Sequence, residues 1–266
     1  MTVRMSTDLA RGGRWTSLRT GSREWLWQNP AVTLAERAAA RPGTPFVDAG
    51  GGEECFPSVG GDPAAGLDHG DVWHRPWVGV PDDAAAQTWD GLTLRRRVRH
   101  DDEHLRVDYA VTGAPGTPFL HAVHLLLDLS TDARLHVPGT PDVVVPDHPE
   151  VGAVTRTRWP DAGGLPLDRL GPDDGTAVCA VVVSDAVEVH DGEDVLALRW
   201  GSEPGAPTSF LVWRNLGGWP AGAPYRSFGV EPMLGAATAL ADAAPGEAAV
   251  LGPSGRLDWW LEVRGA

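Results

Sequence analysis

Leu92-Thr-Leu-Arg-Arg-Arg-Val-Arg99, followed by Leu105-Arg-Val-Asp-Tyr-Ala-Val111, is the stretch that decides the fold. In the second arm Leu105, Val107, Tyr109 and Val111 recur at every second position, with Arg106 and Asp108 between them. A period of two belongs to a β-strand with one face buried and one face wet. The two arms read as an antiparallel hairpin. The run Arg95-Arg-Arg-Val-Arg99, with Asp101, Asp102 and Glu103 after it, reads as the solvated side of that hairpin rather than as a nucleic-acid patch.

The same pattern spreads outward from the hairpin. Gly12–Trp27 reads as two strands turning at Gly21-Ser22. Further strands are expected at Phe119–Leu129, Ala177–Ser184, Ala186–His190, Val195–Trp200, Phe210–Arg214, Tyr225–Glu231, Ala248–Leu251 and Leu257–Val263. Glycine and proline punctuate these short apolar runs along the whole chain, as turns between strands require. Only Thr33–Arg41 and the alanine-rich Leu234–Ala244 read as helix, and neither is long enough to cover a sheet. The expectation is an all-β chain: a large antiparallel β-sandwich of two packed sheets with few short helices, formed as one domain over residues 1–266.

Composition removes several classes of function. The net charge of −14 repels polyanions, which argues against nucleic-acid binding. Every basic residue is arginine, a bias that points to GC-rich coding rather than to a site. No apolar run is long enough for a membrane helix, and the N-terminus lacks the apolar core and cleavage site of a signal peptide, so cytoplasmic residence is expected. Cys55 and Cys179 are too few for a disulfide framework and are expected as free thiols, Cys179 within the buried run 177–183. No metal-ligand spacing occurs, and neither metal nor cofactor is expected.

Three separated segments carry the groups capable of chemistry. The first is Cys55-Phe-Pro-Ser with Asp68-His69-Gly70-Asp71-Val72-Trp73-His74-Arg75-Pro76-Trp77. Glycine after His69 marks a tight backbone approach or a turn, and Trp73 and Trp77 have indole faces suited to the apolar face of a ring. Arg75 is a donor for hydroxyls or a partner for a nearby carboxylate. The second segment is Leu120-His-Ala-Val-His124. Alternation places His124, Leu126 and Asp128 on one face and His121, Val123, Leu125 and Leu127 on the other, so the histidines point apart. The third is Phe228-Gly-Val-Glu231-Pro232, where proline holds Glu231 in extended backbone at an expected strand end. Trp219, in Asn215-Leu-Gly-Gly-Trp219-Pro, belongs to a cleft rim or to a loop core.

In this order the His-Gly, strand-His and Glu-Pro segments resemble the aldose 1-epimerase (galactose mutarotase) family. The resemblance implies a galactose mutarotase-like sandwich that interconverts the α and β anomers of a sugar by acid/base ring opening. It makes Glu231 the base and His124 the general acid. It also makes His69 a substrate-binding residue, with Trp73, Arg75 and Trp77 as further candidates to line the cleft; His121 is left as structural. The chain departs from the family at Val123, where asparagine is usual, and lacks its Asn-Arg element near residue 60. One branch of the family acts on hexose 6-phosphates and carries arginine three residues after the glycine. Trp73 stands there, which favours a free, non-phosphorylated aldose. The alternatives are a non-catalytic carbohydrate-binding protein and a hexose-6-phosphate epimerase-like enzyme. The partner implied is a small sugar; the oligomeric state is open.

Overall fold

The computed structural model describes residues 1–41, 43–60, 68–101, 104–147, 152–202 and 205–266; Asp102 and Glu103 lie outside them. Two antiparallel sheets dominate. One runs, neighbour by neighbour, through Val3–Asp8, Arg14–Thr20, Gly52–Cys55, His121–Leu127, Tyr225–Leu234, Thr208–Trp219, Ala177–Val182, Asp142–Val145 and Thr155–Arg158, with Arg23–Glu24 hooked onto Arg14–Thr20. The other runs through Arg134–His136, Ala186–Asp191, Asp194–Ser202, Arg256–Gly265, His104–Thr112, Thr93–His100, Asp83–Gln87 and Val78–Val80. The expected hairpin is present, in register from Thr93↔Thr112 to His100↔Leu105.

Alternation decides what lies between the sheets. Leu94, Leu105, Val107, Tyr109 and Val111 face inward from the second sheet and meet Val123, Leu125, Leu127, Phe210, Val212 and Val230 from the first. At ~25 cal/mol per Å² of apolar surface removed from water, this continuous core is the main force closing the sandwich. The arginine run is not wholly solvated. Arg95 and Arg97 pair with Asp83 and Arg99 with Asp108, but Arg96 turns into the core and pairs with Glu54 at 2.6 Å.

The first sheet's other face carries a smaller apolar cluster of Cys55, Val59, Ala122, Val181, Leu211, Met233 and Ala237. Loops cover it. One contains the helix Leu34–Ala39, started by a reciprocal Thr33–Glu36 capping box. The alanine-rich segment expected as helix does not form one. Leu234 closes a strand, Gly235 sits at φ +131, and only Leu240–Asp242 makes a 3₁₀ turn. Bonds from Gly60 N–H to the Thr238 carbonyl and from Ala236 N–H to the Glu247 carbonyl hold this loop over the cluster. No helix among the described residues is long and apolar enough to cross a membrane.

Candidate functional site

Strand register builds the site on that loop-covered face. Ala122↔Met233 and Leu125↔Val230 pair the strands His121–Leu127 and Tyr225–Leu234, and the same register sets His124 opposite Glu231. On the far side of His124 lies Glu53, and beyond Glu231 lies Leu211. A row of Glu53, His124, Glu231 and Leu211 therefore crosses four strands on one face. His124 Nε2 stands 3.5 Å from Glu231 Oε1.

Glu231 was expected at a strand end. Instead it is internal: Pro232 pairs with Phe210 and the strand runs on to Leu234. One missing N–H donor weakens the ladder there without ending it. The carboxylate is 2% exposed, and burial pushes its pKa up to about 7 against the attraction of His124, with Asp48 adding repulsion. Gly229 makes room for it. A Cβ at that position would lie 2.8 Å from Glu231 Oε1 and 3.0 Å from the Trp213 side chain.

His69 closes the site from the opposite loop. It adopts φ +61, a region that costs an L-residue roughly 1 kcal/mol or more. Two contacts hold it there: Nδ1 lies 2.8 Å from Asp68 Oδ1, and its ring stacks on Phe46 with centroids 3.6 Å apart. Gly70 is required by close approach, since a Cβ would fall 2.3 Å from the Phe56 carbonyl oxygen. The His69 and His124 rings meet edge to face at 5.2 Å. Burial opposes ionisation of Asp68, yet its bond to His69 prevails and lowers its pKa below the ordinary value.

His69, His124 and Glu231 line one cavity of about 340 Å³. Phe46, Asp48, Asp68, Trp213 and Trp219 complete its polar and aromatic wall. Trp219 is 48% exposed at the rim, so the cleft, not a loop core, is its place. Its backbone is anchored by Asn215, which accepts from the Trp219 N–H and donates to the Trp219 carbonyl. Cys179, expected buried within the run 177–183, is only half-buried and also faces this cavity.

Three expected cleft residues lie elsewhere. Trp73 is buried behind the cavity, its Nε1 bonded to the Asp68 carbonyl at 3.0 Å and its ring edge against Phe46. Trp77 belongs to the core between the sheets, with the Arg96 guanidinium 5.0 Å over its ring. Arg75 has Nε 2.8 Å from the fully buried Asp71 and lines a different cavity. The turn from Val72 to Arg75 swings these side chains away from the sheet face that carries His124. His121 is structural: Trp259 Nε1 donates to its Nδ1 at 3.0 Å, and Nε2 sits 3.0 Å from Glu54. An indole N–H can only donate, so His121 is the neutral Nε2–H tautomer.

Phe46, Asp48 and Trp213 were missed. Nothing near Phe46 or Asp48 in sequence marks them, because long-range loop packing brings them in. Trp213 was legible, as it shares a strand face with Leu211 two residues away.

The chain superposes on a candidate aldose 1-epimerase from Escherichia coli K12 with a TM-score of 0.72 at 13% identity, over 100% of this chain and 96% of that one. It matches a galactose mutarotase related enzyme from Lactobacillus acidophilus at 0.68 and 14%, over 100% and 95%. A galactose mutarotase-like protein from Clostridium acetobutylicum gives 0.68 and 10%, over 99% and 92%. The chain has the galactose mutarotase-like fold. No protein-family model matches it, and no curated protein matches it in sequence.

Proposed function

We propose that the chain is an aldose 1-epimerase-like enzyme that interconverts the α and β anomers of a free aldose. Glu231 takes the proton of the anomeric hydroxyl while protonated His124 delivers one to the ring oxygen. The bond from the anomeric carbon to the ring oxygen breaks, giving the open-chain aldehyde. Rotation of the carbonyl and reversal of both transfers closes the other anomer. His69, fixed by Asp68 and Phe46, orients the sugar, and Trp213 and Trp219 offer aromatic faces to the ring.

The observation that carries this reading is the His124–Glu231 pair, 3.5 Å apart in one solvent-accessible cavity, with the base near neutrality. A group with a pKa near the working pH is suited to reversible proton transfer, whereas sugar binding alone has no need of it. A neutral sugar is favoured because Asp48, Asp68 and Glu231 line the cavity and no arginine does among the described residues. A phosphate would meet carboxylates without a guanidinium fork. The free thiols of Cys55 and Cys179 fit a reducing cytoplasm.

The test is anomer exchange of glucose, galactose and other aldoses, followed by polarimetry or NMR. Glu231→Gln and His124→Ala should each slow it by about 10²–10⁴. If the wild-type protein binds sugars yet leaves every aldose at its spontaneous rate, the non-catalytic alternative replaces this one.

A further inference from the structure

A second cavity, of about 310 Å³, opens beside the helix Leu34–Ala39 and shares no lining residue with the cleft. Arg11, Arg37, Arg41, His74 and Arg75 line it together with Ala10, Ala38, Ala40 and Pro76. Among the described residues no carboxylate is in the lining, in a chain of net charge −14.

We propose that this cavity binds a phosphate monoester, the arginines taking the phosphate and the alanine and proline wall the organic part. Three unrelated segments converge to make it. Arg11 comes from the turn after Asp8, Arg37 and Arg41 from the helix and its C-terminal exit, and Arg75 from the turn after Val72. Carboxylates neighbour these arginines without lining the cavity: Asp8 meets Arg11, while the buried Glu53 and Asp71 meet Arg37 and Arg75. These pairs fix the guanidiniums without occupying all their donors. Arg41 spends Nη1 on the carbonyls of Ala38 and Ala40, and Arg75 meets Asp71 only through Nε. Among the described residues the terminal nitrogens of Arg75 and the Nη2 of Arg41 have no acceptor. Guanidinium N–H groups held in this way match the oxygens of a phosphate.

The local field agrees. Burial lowers the His74 pKa, and Arg75 and Arg37 depress it further against the pull of Asp71. The other arginine-rich cavity, on the outer face of the second sheet, is the contrast. There Asp108 and Asp258 are themselves part of the lining and pair with Arg99 and Arg256, so carboxylates already take part of the wall that an anion would need.

Calorimetric titration with inorganic phosphate and with glycerol 3-phosphate, at about 0.15 M chloride, tests the site. The ester should bind more tightly than the free ion, and Arg41→Gln and Arg75→Gln should each weaken it about tenfold. Arg158→Gln, an exposed arginine far along the chain, should leave it unchanged. Arg41 is exposed, so its variant keeps the test valid even if Arg75→Gln unfolds. Absence of binding by either probe up to about 10 mM overturns the proposal. Equal affinity for the two probes, or binding that survives Arg41→Gln unweakened, does so too.

Discussion

Replacing Glu231 by glutamine should slow catalysis by about 10²–10⁴ and, above neutral pH, make the protein more stable. The carboxyl is buried, and its pKa rises from the ordinary 4.5 to about 7. Folding therefore takes up a proton between those values, and stability falls as pH rises across the window. A difference of ~2.5 units at 1.36 kcal/mol per unit costs the ionised folded state about 3 kcal/mol. That net figure already includes the opposing attraction of His124. Glutamine keeps the shape and loses the charge, so the variant escapes the cost. Linkage gives a gain of about 1 kcal/mol near pH 5.5 and about 3 kcal/mol near pH 8.5.

Urea unfolding followed by tryptophan fluorescence, run on both proteins across that range, measures the gap directly. Any constant effect of the amide cancels in the difference between the two pH values. A gap that stays flat, or one that moves against the variant toward the alkaline end, would refute the claim that burial holds this carboxyl near neutrality. The base assignment would lose its physical ground with it.

Other expectations follow from the same geometry. The acid limb of the rate profile for anomer exchange should have its midpoint near pH 7, where Glu231 loses its proton. Asp48→Asn removes a repulsion felt by Glu231, so that limb should move to lower pH. Gly229→Ala should cut the rate at least tenfold while the protein stays folded, because the new methyl displaces Oε1; a crystal structure of the variant would show the carboxylate moved. Arg37→Ala should destabilise by about 3 kcal/mol at pH 8 by leaving Glu53 buried without its bidentate partner, and by less at pH 5, where Glu53 is protonated.

Period-two alternation made the sandwich readable, because one-sided burial writes itself into every second residue. It also sorted His121 from His124, since a strand cannot send both to one face. Short strands such as Asp83–Gln87 and Thr155–Arg158 escaped, their residues being small or charged and their place set by neighbours. The placements of Trp73, Arg75 and Trp77 failed for a different reason. They follow His69 closely in sequence, but positions in a turn have no fixed face, and proximity along the chain says nothing of direction. Phe46 and Asp48 come from a loop whose course depends on tertiary packing alone.

The adjacent residues Glu53 and Glu54 show how the site is supported. On neighbouring positions of one strand they point to opposite faces. Glu53 faces the site beside His124, and Arg37 from the helix holds it through two bonds, at 3.0 and 2.9 Å. Glu54 faces the core, where burial opposes its ionisation but the bond from His121 and the charge of Arg96 hold its pKa down at about 2. Burial pushes Glu53 the other way, to about 7, against its two arginines. His124 thus stands between two carboxyls that burial drives toward neutrality, Glu53 and Glu231, while His121 three residues away is held between Trp259 and the ionised Glu54. Backed by that rigid charge network, the strand His121–Leu127 has little freedom to shift when a proton moves on its other face. The proposed acid and base then exchange protons with a bound sugar at little cost in reorganisation.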